Sequence, residues 1–220
     1  MREDDKLDTI ERYRSRFQQF GYSPLTLGWN KGRQAVRFQA ALQCLDPNDF
    51  ATVLDYGCGF GDLFGFLSSG GWHGDYTGVD IVPELIEEGR VRWASARAHF
   101  LCLTHDTPDD IPPADLAVAI GVFNHKLKSS NDEFIAQTLD VLWKLSRKVV
   151  VLDFMSTVAD IRYDHLHYAD PAEIYRLCSK YSKRIQIEHS YMPFEFMVKI
   201  WHDDSFDSAA PVFAPYKSLV

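Results

Sequence analysis

The 220-residue sequence has no Cys-x-x-Cys pair, no basic run longer than two residues and no apolar stretch of membrane-spanning length. Its four cysteines, Cys44, Cys58, Cys102 and Cys178, lie far apart, a distribution that supports neither a disulfide framework nor a zinc site, so no metal is expected. They read as small hydrophobes. Basic residues pair at most as Arg147-Lys148 or Lys183-Arg184, and 23 Lys and Arg stand against 31 Asp and Glu, a net charge of −8. That balance opposes a nucleic-acid backbone as partner. A spanning helix needs roughly 18 or more apolar residues, and the start Met1-Arg2-Glu3-Asp4-Asp5-Lys6 lacks the basic-then-apolar order of a secretory signal. The expectation is a cytoplasmic protein with no membrane partner. Length and a composition of 46% hydrophobic and 25% charged residues fit one globular domain.

Periodicity then divides the chain. Leu7, Ile10, Tyr13, Phe17 and Phe20 recur at helical spacing, as do Ala35, Phe38, Leu42 and Leu45. Two amino-terminal helices are therefore expected, separated by the turn residues of 21–24 and 27–30. Short apolar runs follow at 52–55, 76–79, 99–102, 116–120 and 149–152, alternating with helical segments. Runs apolar at nearly every position are those of parallel strands covered on both faces by the intervening helices. Pro83 suits a first helical position, and Asp170-Pro171-Ala172-Glu173 combines a capping aspartate, a first-turn proline and a capping-box glutamate. The alternation of 184–189 and 194–201 reads as an antiparallel pair. The segment 203–220 has no period and reads as a loop or flexible end. The organisation expected is an N-terminal helical cap over 1–50, an α/β core over 51–202 and a tail over 203–220, in one structural domain.

The strongest chemical signal is Val53-Leu54-Asp55-Tyr56-Gly57-Cys58-Gly59-Phe60-Gly61-Asp62-Leu63, a strand running through glycines into a helix. Such glycines let backbone turn tightly and let a ligand lie against the main chain at the carboxyl edge of a strand. A dinucleotide fingerprint would place its third glycine at position 62, where this chain has Asp. A carboxylate beside the helix start repels a pyrophosphate and suits a phosphate-free ligand. Asp55 is placed to meet a cationic amino group. Gly78-Val79-Asp80 closes the next strand with an acidic residue in the position of a ribose-binding carboxylate.

With these residues the chain resembles the class I S-adenosylmethionine-dependent methyltransferase superfamily over roughly positions 28 to 202. The resemblance implies a Rossmann-like three-layer sandwich on a seven-stranded, mostly parallel sheet of order 3-2-1-4-5-7-6, strand 7 antiparallel. It implies S-adenosylmethionine as cofactor and S-adenosylhomocysteine as its product. Gly57, Cys58 and Gly59 match the loop around the cofactor's amino acid portion, Asp80 the ribose carboxylate, Ile81 an adenine contact and Asp106 the carboxylate at the adenine amino group. Gly121 falls where the fourth strand ends and the methionine arm passes. A looser likeness, carried by Leu27-Gly28-Trp29, residues 34–38 and the stretch Tyr191-Met192-Pro193-Phe194-Glu195-Phe196, points to a bacterial small-molecule group. The Asn/Asp-Pro-Pro-Tyr sequence of nucleobase and glutamine amino-methylating enzymes is absent.

The remaining candidates follow from position. Of Arg33 and Arg37, one turn apart, Arg37 is favoured to pair with the cofactor carboxylate, against a reading as solvated helix face. Trp29 is expected to cover the cofactor. Asn124 and His125 follow the fourth strand at the mouth of the sheet, and His165, His167 and Tyr168 follow the fifth; with Tyr191 they are the substrate-facing candidates. His125, His165 and His167 are the candidate bases, since imidazole titrates near neutrality. The leading expectation is methyl transfer to O, N, S or C of a small metabolite. The alternatives are a nucleic-acid or protein methyltransferase of the same fold and a non-catalytic binding subunit.

Overall fold

The computed structural model describes residues 1–29, 33–105 and 108–219. Helix α1 (Glu3–Phe20) and helix α2 (Gln34–Leu42) precede the sheet. Then β1 (Thr52–Tyr56), α3 (Asp62–Ser69), β2 (Asp75–Asp80), α4 (Pro83–Arg92) and β3 (Ala98–Cys102) form one half. The other half is β4 (Ala114–Ala119), α5 (Asn131–Leu145), β5 (Ser146–Met155), α6 (Pro171–Cys178) and the hairpin β6 (Ile185–Met192) with β7 (Glu195–Trp201). The seven strands lie in the order β3-β2-β1-β4-β5-β7-β6, parallel except where β7 runs antiparallel to β5 and β6. Chain order reverses between β1 and β4, whose carboxyl ends open the crevice in which ligands of such sheets collect.

Alternate strand residues feed two apolar layers. Leu54, Ala117, Val150, Leu152 and Val198 face α5 and α6, meeting Ile135, Leu139, Leu142 and Cys178. Val53, Tyr76, Leu116, Val118 and Met197 face the other way, against Phe38 and Ala41 of α2 and Leu63, Phe64 and Leu67 of α3. A smaller cluster joins Ile10 of α1 to Phe60, Val82 and Leu85, with Tyr13 and Phe17 packed on it. Through that cluster α1 lies over the glycine loop and the start of α4.

Local signals mostly formed as read. Pro83 opens α4, and the Asp170 side chain accepts from the Ala172 amide at 2.7 Å. The capping-box half at Glu173 does not close, because that carboxylate pairs with Arg176 one turn on. The tail departs from expectation. Strands β8 (Phe206–Asp207) and β9 (Ala210–Phe213) form a short hairpin, and 214–219 winds into a 3-10 helix. Asp207 makes the turn by accepting from the Ala209 amide at 2.9 Å, and the Phe206 and Phe213 rings meet edge to face. Two isolated aromatics and one turn-forming aspartate leave no period for a sequence pattern to show.

Candidate functional site

Beyond β1 the chain turns through Gly57, Gly59 and Gly61, each with φ between +56° and +77°. The Gly57 and Cys58 amides both donate to the Val79 carbonyl, at 2.7 and 3.0 Å, which locks the loop to the end of β2. A Cβ on Gly59 would stand 2.9 Å from Leu27 Cδ2, so the chain leading to α2 presses against bare backbone there. Asp80 closes the arrangement. Its Oδ2 accepts from the Gly59 amide at 2.9 Å and its Oδ1 from the Val82 amide at 3.0 Å. Burial raises its pKa against those hydrogen bonds.

Asp55 lies beneath the loop and accepts from the Tyr76 hydroxyl at 2.7 Å. Burial pushes its carboxyl up to about 7, a shift the Tyr76 hydrogen bond opposes and the charges of Asp80 and Asp62 reinforce. Asp62, the residue that displaces the dinucleotide glycine, accepts from the Tyr22 hydroxyl at 2.7 Å and from Gln34 Nε2 at 3.1 Å. It thereby ties the segments on both sides of α2's start to the helix that follows the loop.

A cavity of about 470 Å³ opens over this edge. Asp55, Gly57, Cys58, Gly59, Asp80 and Ile81 line its base, and Gly121 and His125 line the side below β4. Lys6, Thr9 and Tyr13 of α1 roof it, while Trp29, Gln34 and Phe38 wall one end and Leu103, Phe134 and Thr138 the other. The volume falls in the range of small-molecule and cofactor sites, about 300–1,000 Å³. The Lys6 ammonium on this wall donates to the Leu103 carbonyl at 3.2 Å, whereas the carboxylates Asp55 and Asp80 lie beside the glycine loop. The end beside Asp55 and Asp80 suits a cationic group without phosphates. Among the described residues no cluster of His, Cys, Asp and Glu is arranged to hold a metal.

Trp29, Asp55, Gly57, Cys58, Gly59, Asp80, Ile81, Gly121 and His125 thus meet on one cavity, while Asp106 lies outside the described residues. Other candidates lie off this cavity. Arg37 does not line the cavity; it is buried, paired with Glu195, has Nε 3.8 Å from Asp153 Oδ2, and lies 4.0 Å from the Trp29 ring centroid. Its strongest partners lie on β5 and β7, so the guanidinium turns toward them. Asn124 is likewise spent on backbone, its Oδ1 accepting from the Met155 amide at 3.2 Å and its carbonyl from His167 at 3.1 Å. His165 is exposed, and its carbonyl takes the Lys126 amide. The Tyr168 hydroxyl accepts from the Tyr163 amide at 2.9 Å. His167 holds a buried Nε2 with no hydrogen-bond partner among the described residues, and burial lowers its pKa. Tyr191 points its hydroxyl into the buried group around Asp153 and Glu195. None of these six residues reaches the cavity wall.

The sequence reading missed four residues of consequence. Arg12 on α1 lays its guanidinium against the His125 ring, 3.2 Å from Nε2 and closer to Nδ1. Burial and then this cation depress the His125 pKa, so the imidazole is neutral at physiological pH. Asp5 anchors α1 by accepting from the Lys128 and Ser129 amides at 2.7 and 3.2 Å, and from the Ser129 hydroxyl. Asp153 takes the Gly121 amide at 2.5 Å, and Glu195 holds Arg37. A signal existed for Asp153, a carboxylate directly after the apolar run 149–152.

Residues 53–144 match a family model described as a methyltransferase domain. The chain is 33% identical over 166 residues to "Putative methyltransferase Rv1506c" of Mycobacterium tuberculosis, covering 72% of this chain and 98% of that one. It is similar in fold to magnesium protoporphyrin IX methyltransferase of Synechocystis with S-adenosylmethionine bound, TM-score 0.64 at 15% identity over 91% of this chain and 98% of that one. It is also similar in fold to N-methyltransferase NodS of Bradyrhizobium japonicum with S-adenosylhomocysteine, TM-score 0.59 at 13% identity over 90% and 98%.

Proposed function

The chain belongs to the class I S-adenosylmethionine-dependent methyltransferases, and from that premise we propose that it transfers the methyl group to a small-molecule metabolite. The observation that carries this reading is the cavity of about 470 Å³ between the glycine loop and α1, bounded by Trp29, which leaves room for a cofactor and a small acceptor. The fold relatives named for porphyrin and N-methyl transfer point the same way. The net charge of −8 disfavours a nucleic-acid substrate. No helix of the described residues is long and apolar enough to cross a membrane; a cytoplasmic location is part of this proposal. In this reading 1–50, 51–202 and 203–220 act as cap, core and tail of one working unit.

S-adenosylmethionine, when bound, supplies an activated methyl on a sulfonium whose departure requires no proton. The residues of this chain do the rest. Gly57, Cys58 and Gly59 receive the amino acid portion against bare backbone. Asp80, fixed by two amides, keeps lone pairs for ribose hydroxyls, and Ile81 offers an apolar face to adenine. Tyr13 and Thr9 exclude water from above, so that the acceptor is held in line rather than encountered by diffusion. His125, neutral and on the cavity wall, is placed to take a proton from an acceptor that carries one.

Isothermal titration of the purified chain with S-adenosylmethionine, S-adenosylhomocysteine and NAD tests the site. The first two should bind and NAD should not. Binding of NAD alone would overturn the proposal. A screen of metabolite extracts for gained methyl mass then tests the acceptor class.

A further inference from the structure

Beside the cavity, on the α2 face of the sheet, four polar side chains meet with more charge than they neutralise. Arg37 pairs with Glu195 and stands 3.8 Å from Asp153 Oδ2. Asp153 and Glu195 are 0% and 1% exposed, so one guanidinium serves two carboxylates away from water. Hydrogen bonding is incomplete as well. Asp153 Oδ2, Glu195 Oε2, Arg37 Nε and the Tyr191 hydroxyl are buried without a hydrogen-bond partner among the described residues. An unsatisfied buried polar atom destabilises the fold, and native interiors rarely keep several together.

The position of this group explains the excess. Asp153 lies near the carboxyl end of β5, its Oδ1 bonded to the amide of Gly121, and Gly121 lines the cavity. Trp29 is the partition between the two. Its side chain lines the cavity, the Arg37 guanidinium lies 4.0 Å from its ring centroid, and its edge lies 2.9 Å from where a Cβ on Gly121 would stand.

We propose that Asp153, Glu195 and Tyr191, held by Arg37 and screened by Trp29, form the acceptor subsite, and that it takes a small molecule bearing an aliphatic amine. This deepens the methyl-transfer reading and rests on it. An ammonium brings the missing positive charge and up to three N–H donors to Asp153 Oδ2, Glu195 Oε2 and the Tyr191 oxygen. A carboxylate or phosphate acceptor would add charge of the sign already in excess. An alcohol would satisfy fewer of the acceptors and leave the charge standing. The amine must lose a proton before its nitrogen can attack. For such an amine the base is Asp153 and not His125: the N–H bond breaks toward Asp153 Oδ2, the electron pair stays on nitrogen and the carboxylate becomes a carboxylic acid. Burial and the neighbouring Glu195 raise the Asp153 carboxyl to about 7 against the pull of Arg37, which suits that exchange. The other charges around the group are Arg33, which acts on Glu195, and Glu188, which acts on Tyr191.

The test uses the full chain saturated with S-adenosylhomocysteine. Benzylamine and phenethylamine are titrated calorimetrically beside benzyl alcohol, phenethyl alcohol and phenylacetate, in two buffers of different ionisation enthalpy. The amines should bind at least about tenfold more tightly than the alcohols, with heats that depend on the buffer, and phenylacetate should not bind. Asp153→Asn and Glu195→Gln should each erase that preference while leaving S-adenosylhomocysteine affinity within about twofold. Tyr191→Phe, which unpairs no charge, should reduce amine affinity about threefold and serves if the acidic variants fail to fold. Equal binding of amines and alcohols, or binding of neither by a chain that does bind S-adenosylhomocysteine, overturns the subsite and leaves the methyltransferase reading intact. Loss of S-adenosylhomocysteine binding by the unaltered chain would instead remove the premise.

Discussion

The backbone amide of Gly59 donates to the carboxylate of Asp80 at 2.9 Å, which makes the tip of the glycine loop and the end of the second strand one mechanical unit. Because the other Asp80 oxygen takes the Val82 amide, the residue has a structural duty and a binding duty at once. Asp80→Ala should weaken S-adenosylhomocysteine binding about tenfold or more by removing a charge-assisted contact. It should also cost about 1–3 kcal/mol of stability by orphaning two amides. Asp80→Asn keeps one acceptor oxygen, so it should recover part of the stability and little of the affinity. Calorimetry and chemical denaturation on both variants separate the two duties.

Gly59 itself is constrained twice, by a φ of +56° and by Leu27 at 2.9 Å from its missing Cβ. Gly59→Ala should destabilise the chain by about 1–2 kcal/mol for the backbone alone and more for the clash. Leu27→Ala on that background removes only the second part. A double-mutant cycle read by urea denaturation should therefore show a favourable coupling between the two changes, and additive effects would refute the contact.

The buried carboxyls give a pH dependence whose sign is unusual for acidic groups. Asp55 has its pKa raised to about 7 in the folded chain, so between the unfolded value near 4 and that value the native state binds more protons than the unfolded one. Its contribution to stability is full at low pH and is lost as pH rises through about 7. Asp55→Asn should remove that loss and leave the chain more stable above pH 7 by an amount on the order of 1–3 kcal/mol. Denaturant midpoints of both proteins from pH 4.5 to 8.5 check this on the scale that Asp55 sets. A wild-type curve that rises across the range relative to the variant would contradict the assignment.

Arg12 and His125 are 113 positions apart, yet the guanidinium lies against the imidazole and holds its pKa below the usual histidine value after burial has already lowered it. Arg12→Gln should let the His125 pKa rise, which moves the acid limb of any His125-dependent activity to higher pH. The titration of the His125 ring followed by NMR gives the same answer without turnover. An unchanged titration would dissociate the two residues.

How much of this was legible in the sequence depended on range. The glycine loop, Asp55 and Asp80 lie within 26 residues and could be read from strand, turn and helix signals alone. So could the seven strands, five from apolar runs that report burial on both faces and the last two from apolar and polar alternation. The sheet order came from likeness to a family rather than from the residues. Arg37 was read as a cofactor ligand because nothing near it in sequence announces Glu195, 158 positions away. The helix spacing of α1 was evident. That it roofs the cavity was not, because the anchors Lys128 and Ser129 lie over 120 positions downstream.

One buried carboxylate ties the start of that roof to the far half of the sheet. Asp5 is 3% exposed and accepts from the Lys128 and Ser129 amides and the Ser129 hydroxyl, which pins the first turns of α1 to the segment entering α5. Burial pushes its pKa up, but the Ser129 and Lys128 interactions outweigh that and hold it below the usual value. A depressed carboxyl contributes stability that is present above its unfolded pKa and lost as pH falls through the folded one, the reverse of Asp55. Asp5→Ala should therefore loosen α1 at neutral pH, where the anchor is at full strength. Amide hydrogens of 6–13 should exchange faster in the variant, and S-adenosylhomocysteine should dissociate faster. Because Tyr13 and Thr9 reach the cavity from that helix, binding and exchange should change together. Faster exchange with an unaltered off-rate would mean that the cavity stays closed without α1, and the helix would then be packing rather than a roof.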